Sequence, residues 1–310
     1  MAEAAVIKTS APGSLMLLGE HAVLHGNRAL VGAIDRRIQV ELFQTPENVL
    51  EIDSALGNYR ASLSSLEDDP RFRFVLQAVR QHLGAIPSGF RLKIHSEFSA
   101  DIGFGSSAAV TVAVHAALMF WLEGIEAAPE QLFEAALKTV QTVQGRGSGS
   151  DLAASVFGGI VGYTIDPDFI PLEVSIPLTA VYCGYKTPTP DVILRVEQLK
   201  ADDPAKYERI YAEMNASAQN AVSKLRNHDF PGFGKILNRN QELMDEMGVN
   251  TPELQIIVNA LQQSPDIFGA KISGSGMGDC AIGIGYTDLK ELEFPVHHLE
   301  ITPTGCCCHA

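Results

Sequence analysis

The segment GFGSSAA, residues 103–109, runs directly into an apolar stretch at residues 110–122 that is long enough for about three helical turns. A helix that begins here leaves unpaired backbone N–H groups at its N-terminus, where the helix dipole favours negative charge. Glycine lets a phosphate approach the backbone closely, and serine hydroxyls reach a phosphate oxygen or its metal ion. The segment therefore predicts a phosphate-binding loop, with a tight strand-to-helix connection as the alternative. It is not a Walker loop, since the sequence contains no GxxxxGK[ST].

The composition is that of an ordered globular protein. The chain has 310 residues, of which 46% are hydrophobic and 19% charged, which favours two domains with a sizeable core. Its formal net charge of −14 argues against nucleic acid or an anionic membrane as the main partner. A phosphorylated ligand is compatible with this charge, because helix ends and a few local cations bind phosphate even in an acidic protein.

No targeting or membrane-spanning pattern is expected. The N-terminal residues MAEAAVIKTSAPGS carry one lysine and no long apolar run, unlike a signal peptide. The most apolar run, residues 108–122, is too short for a membrane span and predicts a buried helix. The five cysteines show no disulfide framework, so we expect a reducing, cytoplasmic location.

Strand and helix patterns follow one another along the chain. The first forty residues indicate β-structure with an inserted loop, and helices are expected at residues 72–83 and 129–145. Prolines at positions 167, 171 and 177 mark a change of texture, so we place a domain boundary there, between residues 1–175 and 176–310. The second unit is predicted to begin with a strand at residues 180–184. Three helices are expected at residues 203–226, 230–247 and 251–263, followed by a strand–loop–strand at residues 270–285.

Two further glycine-rich loops follow the first. GSGSD, residues 147–151, ends in Asp151, which can accept a proton from a substrate hydroxyl or simply cap the following segment. GSGMG, residues 274–278, lies between two predicted strands and alone is typical of a turn. Three such loops in one chain indicate a site where backbone surrounds a polyphosphate.

Three more segments carry candidate functional groups. Glu20 and His21 follow a glycine in a loop, where they can hydrogen-bond a hydroxylated substrate or form a surface turn. KTPTP, residues 186–190, offers one cation and two hydroxyls that could close over phosphates, or it is a plain connector. Cysteines 306–308, followed by His309, cannot all face one tetrahedral ion without strain, so we expect a disordered end rather than a metal site.

The order of these segments resembles the GHMP small-molecule kinase family, and within it the mevalonate kinases. APGSLMLLGEHAVLHG, residues 11–26, resembles the motif APGKxxLxGEHAVxxG, whose second half favours mevalonate kinases over galactokinases and homoserine kinases. Residues 103–109 resemble the family's GLGSSAA, residues 148–151 resemble PSGxD, and residues 271–280 resemble KxTGAGxGGC. The motifs stand in the family's order over nearly the whole chain.

The resemblance implies a two-domain α+β kinase, with an N-terminal ribosomal-protein-like βαβ domain and a ferredoxin-like C-terminal domain. It implies ATP and Mg²⁺ as cofactors, Asp151 as the group that deprotonates the substrate hydroxyl, and Ser107 as a magnesium ligand. The residues implied to bind ATP or its phosphates are Gly103, Gly105, Ser106, Ser107, Ala108, Gly274, Ser275, Gly276 and Gly278. Those implied to bind the substrate are Glu20, His21, Ser148, Gly149, Lys186 and Thr189.

Three positions depart from the family pattern. Ser14 replaces the lysine of APGK, which removes a cation beside the catalytic acid and the transferring phosphate. Val140 stands where mevalonate kinases have a magnesium-binding glutamate, so the ion must rely on Ser107, water and phosphates. Asp279 replaces a glycine and brings a carboxylate near the phosphates. The candidates for the missing cation are Arg146, Lys186 and Lys271.

The resemblance implies an enzyme that transfers a phosphoryl group from ATP to the primary hydroxyl of mevalonate or a close analogue. Two alternatives stay open. One is a related enzyme acting on another isoprenoid precursor, of the phosphomevalonate kinase or diphosphomevalonate decarboxylase type. The other is a non-catalytic homologue that binds a nucleotide or metabolite. We expect a small-molecule alcohol as partner, neither nucleic acid nor membrane, and leave open whether the chain forms a homodimer.

Overall fold

The structure, a computed structural model, describes residues 7–99, 102–145 and 147–309. A short 3₁₀ helix at His21–His25 follows the first strand. The strands are β1 (Ile7–Leu18), β2 (Ala29–Thr45), β3 (Val49–Ser54), β4 (Gly57–Ser62), β5 (Gly89–Ser96), β6 (Ile160–Tyr163), β7 (Phe169–Leu172), β8 (Pro177–Tyr182), β9 (Ala270–Ser273), β10 (Cys280–Ile284), β11 (Val296–Glu300) and β12 (Cys307–His309). The helices are α1 (Arg73–His82), α2 (Ser106–Glu123), α3 (Pro129–Gln144), α4 (Ser150–Phe157), α5 (Thr189–Asp202), α6 (Pro204–Arg226), α7 (Phe230–Met247) and α8 (Pro252–Gln263).

The first sheet has its strands in the order β12-β1-β2-β5-β3-β4, and β6 and β7 extend it from β2. β3 and β5 are parallel, so the chain between them, through β4 and α1, forms a β–α–β crossover. Helices α2 and α4 pack against β1. β1 continues through residues 11–14 with an irregularity between Pro12 and Ser14, so the loop expected in this region begins only after Leu18.

The second sheet is antiparallel, in the order β11-β8-β10-β9. Helices α7 and α8 pack against its β9 edge. The three helices predicted for this part of the chain are confirmed as α6, α7 and α8. α8 begins as its sequence indicates, because the Thr251 hydroxyl accepts the N–H of Leu254 and Pro252 occupies the first turn.

One apolar cluster belongs to both sheets. It contains Leu15 and Leu30 from the first sheet, Leu178 and Ile282 from the second, and Phe233 from α7, all of them buried. A contiguous core of this kind removes apolar surface of both sheets from water at once. The loops at the junction between the sheets are therefore held in a defined relative position.

The last residues of the chain return to the first sheet. β12 pairs antiparallel with β1, with Cys308 opposite Thr9. Burial raises the pKa of the Cys306 thiol to about 12. The expectation of a disordered end is therefore wrong, because residues 307–309 pair with β1. Local composition gives no signal for pairing with a strand about 300 positions earlier. The boundary proposed after residue 175 falls between β7 and β8, and this C-terminal segment crosses back over it.

Helix α2 is the one described helix that is long and apolar enough to cross a membrane by length and composition alone. In the structure it packs against the first sheet and against α1, α3 and α4. Its residues Val112, Ala113 and Leu118 are fully buried. The prediction of a buried helix is confirmed.

Candidate active site

A cleft of about 580 Å³ opens at the junction of the two sheets, and the three glycine-rich loops line it. These loops precede α2, precede α4 and connect β9 to β10. Glu20, His21 and the segment before α5 also contribute to the wall. A more open depression of about 630 Å³ beside it, around His25, lacks Asp151 and Lys186, so the candidate chemistry lies in the cleft.

The loop before α2 turns a helix N-terminus toward the cleft. Gly105 precedes the helix in the left-handed conformation, at φ 68°, and has no side chain with which to cap it. The first-turn N–H groups therefore depend on a ligand or water, and an anion suits them best. The loop is docked on β1, because the Ser14 N–H donates to the Phe104 carbonyl at 3.0 Å. A Cβ at position 105 would lie 2.0 Å from Ser14 Oγ, so only glycine fits there.

Asp151 lies in the first turn of α4 and faces the same cleft. The Ser14 hydroxyl donates to its Oδ1 at 2.8 Å. Desolvation by the surrounding protein raises the pKa of the Asp151 carboxyl, although the residue is exposed to the cleft. The Ser14 hydrogen bond and the Lys186 ammonium act against that rise, and Asp279 adds to it. A carboxylate with a raised pKa and an open edge is suited to accept a proton from an alcohol.

Lys186 and Asp279 form an ion pair across from Asp151. Lys186 Nζ lies 2.9 Å from Asp279 Oδ2, and the two side chains are 40% and 17% exposed. The Asp279 carboxylate packs closely against Gly103 of the phosphate loop, since a Cβ at Gly103 would lie 2.1 Å from Asp279 Oδ2. Burial lowers the pKa of Lys186, but the charges of Asp279 and Asp151 outweigh this and raise the pKa above its usual value. Lys186 is therefore a protonated amine between two carboxylates.

A second ion pair lies beneath the cleft. The Lys271 ammonium donates to Glu20 Oε1 and to the Ile272 carbonyl, and the two charged side chains are 0% and 1% exposed. Asn240 donates to the other Glu20 oxygen at 3.3 Å. This cluster joins Glu20, two residues after the end of β1, to strand β9. It also occupies both oxygens of Glu20, which leaves that carboxylate a structural anchor beside the cleft.

Of the other residues predicted to bind the substrate, His21 and Ser148 have hydrogen-bond or close polar partners, and Thr189 is exposed to solvent. His21 Nε2 donates to the Ser275 carbonyl at 2.8 Å, and burial lowers the pKa of His21, so its ring is neutral at pH 7. The Ser148 hydroxyl lies 2.9 Å from the Ser150 hydroxyl. Thr189, at the start of α5, is exposed at the opening of the cleft.

The predicted site residues all line the cleft except Gly276 and Gly278. These two glycines belong to the third loop but do not line the cleft. A Cβ at Gly276 would meet the Val249 carbonyl oxygen at 2.7 Å, and one at Gly278 would meet the Tyr185 ring at 2.9 Å. They allow the loop to pack closely on its neighbours, whereas Gly274 and Ser275 face the cleft.

The structure separates the three candidates for the missing cation. Lys186 lines the cleft, whereas Lys271 is buried with Glu20. Arg146 lies outside the described residues. Lys186 is therefore the described candidate that can act at Asp151.

Two residues that bear on the chemistry of the site were not predicted as parts of it: Arg73, which lines the cleft, and Ser14, which donates to Asp151. Arg73 begins α1 and adds a cation to the cleft wall. Its sequence surroundings are those of an ordinary amphipathic helix, so they contain no signal for this role. Ser14 was recognised only as a departure from a motif, and its hydrogen bond to Asp151 spans too many residues to be visible in the sequence.

The cleft offers oxygen ligands rather than a preformed metal cage. Among the residues that the structure describes, no group of three or more His, Cys, Asp or Glu side chains could hold a metal ion. The Ser107 hydroxyl and the carboxylates of Asp151 and Asp279 line the cleft, and Asp279 Oδ1 is buried with no hydrogen-bond partner in the described part of the chain. This oxygen set fits a hard cation that keeps several waters and phosphate ligands, as Mg²⁺ does. Val140 contributes only hydrocarbon to the wall.

Comparison with known proteins gives consistent matches along the chain. The model described as GHMP kinases N terminal domain matches residues 71–159, and the model described as GHMP kinases C terminal matches residues 221–293. The two matches together cover more than half of the chain.

Individual relatives extend this similarity to nearly the full length. The mevalonate kinase of Archaeoglobus fulgidus is 32% identical over 280 residues, which are 89% of this chain and 91% of that protein. The mevalonate kinase of Pyrococcus furiosus is 29% identical over 315 residues, 95% of this chain and 93% of that protein. The crystal structure of L. major mevalonate kinase in complex with R-mevalonate has a TM-score of 0.80 at 24% identity and covers 96% of each chain, which shows a shared fold.

Proposed function

The chain belongs to the GHMP kinase family, and we propose that it transfers the γ-phosphoryl group of ATP to the primary hydroxyl of mevalonate. The predicted two-domain α+β GHMP kinase fold and the assignment as an ATP-dependent kinase are thereby confirmed. The observation that carries the choice of reaction is Asp151. It lies with an open edge in a cleft that also contains a helix N-terminus suited to phosphate.

In this mechanism Asp151 accepts the proton of the substrate hydroxyl as the oxygen attacks phosphorus. The hydrogen bond from Ser14 goes to Oδ1 and fixes the orientation of the carboxylate. Desolvation by the surrounding protein raises the pKa of Asp151, which makes it a better proton acceptor than a carboxylate of ordinary pKa. Positioning and electrostatic stabilisation supply most of the acceleration of phosphoryl transfer.

The first-turn N–H groups of α2, together with Ser106 and Ser107, bind the phosphates of ATP in this proposal. Ser107 offers its hydroxyl oxygen to Mg²⁺, which would neutralise phosphate charge when bound. Gly274 and Ser275 face the same space from the second sheet. The phosphates are thus approached by backbone from both sheets.

The sparse positive charge of the cleft favours mevalonate over its phosphorylated derivatives. Among the described lining residues, the lysine and arginine side chains are Lys186 and Arg73, and Lys186 is already paired with Asp279. A substrate with a phosphate of its own brings extra negative charge, which needs further cations for compensation. Mevalonate places only one carboxylate beside the nucleotide, and hydroxyls such as Ser148 and Thr189 suit its neutral groups.

The test is a substrate panel with purified protein, ATP and Mg²⁺. We expect phosphomevalonate to form from R-mevalonate, with ADP released in equal amount, and little turnover of phosphomevalonate or diphosphomevalonate. Formation of the diphosphate, or loss of CO₂ from diphosphomevalonate, would instead assign a sibling reaction. ATP binding without turnover of any of the three would refute the kinase proposal.

Asp151→Asn tests the proton acceptor separately. The amide keeps the shape of the side chain and cannot take the proton, so we expect kcat to fall about 10²–10⁴-fold with KM for ATP little changed. An Asp151→Asn enzyme as active as the natural one would remove Asp151 from the mechanism without touching the assignment of the substrate.

A further inference from the structure

The proposed phosphoryl transfer requires a positive charge near Asp151. The γ-phosphate and the Asp151 carboxylate are both negative, and Ser14, which donates to Asp151, is neutral. Two like charges that approach in a cleft repel each other unless a cation lies between them. Among the described residues, Lys186 is the cation whose charge acts on Asp151.

We propose that Lys186 supplies the positive charge between Asp151 and the transferring phosphoryl group, and that Asp279 positions it there. This inference rests on the proposed function. Lys186 and Asp279 lie next to β8 and β10 of the second sheet, whereas Asp151 and the phosphate loop pack on the first sheet. The cation therefore reaches the reacting groups from the opposite side of the cleft.

Hydrogen bonds hold the backbone on both sides of Lys186. The Asp279 N–H donates to the Tyr185 carbonyl at 2.8 Å. On the other side, the Thr187 hydroxyl donates to the Met277 carbonyl at 2.6 Å. The segment that carries Lys186 is thus fastened to the third glycine-rich loop. Rotation of the Lys186 side chain can then move the ammonium between Asp279 and a bound phosphate.

Asp279 adopts a backbone conformation that a residue with a side chain rarely accepts. Its φ is 72°, in the left-handed region that glycine favours. Its Oδ1 is buried, without a hydrogen-bond partner among the described residues, and the carboxylate leans on Gly103. A carboxylate beside a phosphate loop repels phosphate unless its charge is neutralised, and Lys186 provides that neutralisation at 2.9 Å. The ion pair with the Lys186 ammonium explains why a carboxylate occupies position 279 despite the unfavourable backbone conformation and the nearby phosphate loop.

The same lysine affects the protonation of Asp151. Burial is the largest influence on Asp151 and raises its pKa, and Asp279 raises it further. Ser14 and Lys186 lower the pKa of Asp151. Without the Lys186 ammonium, desolvation and the charge of Asp279 raise the pKa of Asp151 further. The ionised, proton-accepting form of Asp151 then appears only at a higher pH.

Lys186→Met tests the charge while retaining most of the side-chain length. We expect kcat for mevalonate to fall about 10²–10³-fold, which is typical for removal of one group that stabilises transition-state charge. We also expect the acidic limb of the pH profile of kcat/KM to move to higher pH. Lys186→Arg keeps the charge and should retain most of kcat. Lys290→Met, an exposed lysine outside the cleft, is the matched control and should change neither.

Asp279→Asn tests positioning, because it preserves shape and removes the partner of the ammonium. We expect kcat to fall about tenfold, as for loss of one charge-assisted contact. KM for ATP should stay equal or decrease, since a carboxylate that repels phosphate is gone. An increase in KM together with a lower melting temperature would indicate a merely structural residue and would overturn this part of the proposal.

Nucleotide affinity gives a readout that does not need the acceptor. In Lys186→Met, binding of the ATP analogue AMP-PNP should weaken about fivefold more than binding of ADP, because only the former carries a γ-phosphate. If the unmodified protein does not phosphorylate mevalonate, the proposed function is refuted. The affinities for AMP-PNP and ADP would still test whether Lys186 interacts with the γ-phosphate. Equal weakening of both nucleotides overturns the inference. If the unmodified enzyme is active, the inference is also overturned when Lys186→Met has the same kcat and pH profile. It is likewise overturned when Lys186→Met and Lys186→Arg lose equal activity.

Discussion

Replacement of Lys271 by methionine tests the contact that joins the two sheets beneath the cleft. In the protein the ammonium of Lys271 and the carboxylate of Glu20 are both shielded from water. Methionine fills most of the volume of the lysine but leaves the carboxylate buried without a cation. Removal of one partner of a buried ion pair costs about 3–5 kcal/mol. We expect a loss of that size in the free energy of unfolding at pH 7.

Urea-induced unfolding followed by circular dichroism measures this loss. The double variant Glu20→Gln/Lys271→Met should recover more than about 1 kcal/mol, because no unpaired charge remains buried. Lys138→Met, on the exposed face of α3, is the matched control and should change stability by less than about 0.5 kcal/mol. A loss below about 1 kcal/mol, or a double variant as unstable as the sum of the single ones, would contradict the reasoning.

Three further variants address the cleft and the core. Ser14→Ala removes a hydrogen bond that lowers the pKa of Asp151, so a pH–rate profile should show the acidic limb of kcat/KM moved to higher pH. Gly105→Ala should lower kcat at least about tenfold because its Cβ would displace the Ser14 hydroxyl, whereas Gly124→Ala, with a similar φ and open space around it, should only lower the melting temperature slightly. Burial lowers the pKa of His115 to about 3, below its unfolded value of 6.5, so the unfolded state binds the extra proton first and stability is lost as the pH falls below 6.5. Urea unfolding should show a loss of about 2–3 kcal/mol between pH 7 and 4.5 that is largely absent in His115→Gln, and an unchanged pH slope in that variant would contradict the assignment.

Local signals in the sequence predicted much of the fold and the backbone of the site. Gly105 and the serines after it lie at a helix start because their conformational and capping preferences act over a few residues. Thr251 and Pro252 predicted the start of α8 for the same reason. The glycine-rich loops were visible because close approach of backbone to a ligand needs residues without a Cβ.

Pairings between distant residues could not be predicted in this way. The bond from Ser14 to Asp151 and the ion pair of Lys186 with Asp279 depend on how the two sheets pack, and local composition contains no record of that. The return of the C-terminal cysteines to β1 is another such case, because a strand of three residues has little pattern of its own. Arg73 lines the cleft for the same reason, since only tertiary packing turns the start of α1 toward it.

The source of the positive charge makes the chemistry depend on how firmly the two sheets are held together. A lysine at position 14 would have kept cation and acid on one sheet, whereas Lys186 acts from the second sheet. A Coulomb interaction weakens as the charges separate, so a small opening of the cleft lowers the effect of Lys186 on Asp151. The Glu20–Lys271 pair and the shared apolar cluster oppose that opening. We therefore expect Lys271→Met to lower kcat at temperatures where circular dichroism still shows a folded chain. A variant that keeps full kcat up to its unfolding transition would show that the two sheets stay in place without this pair.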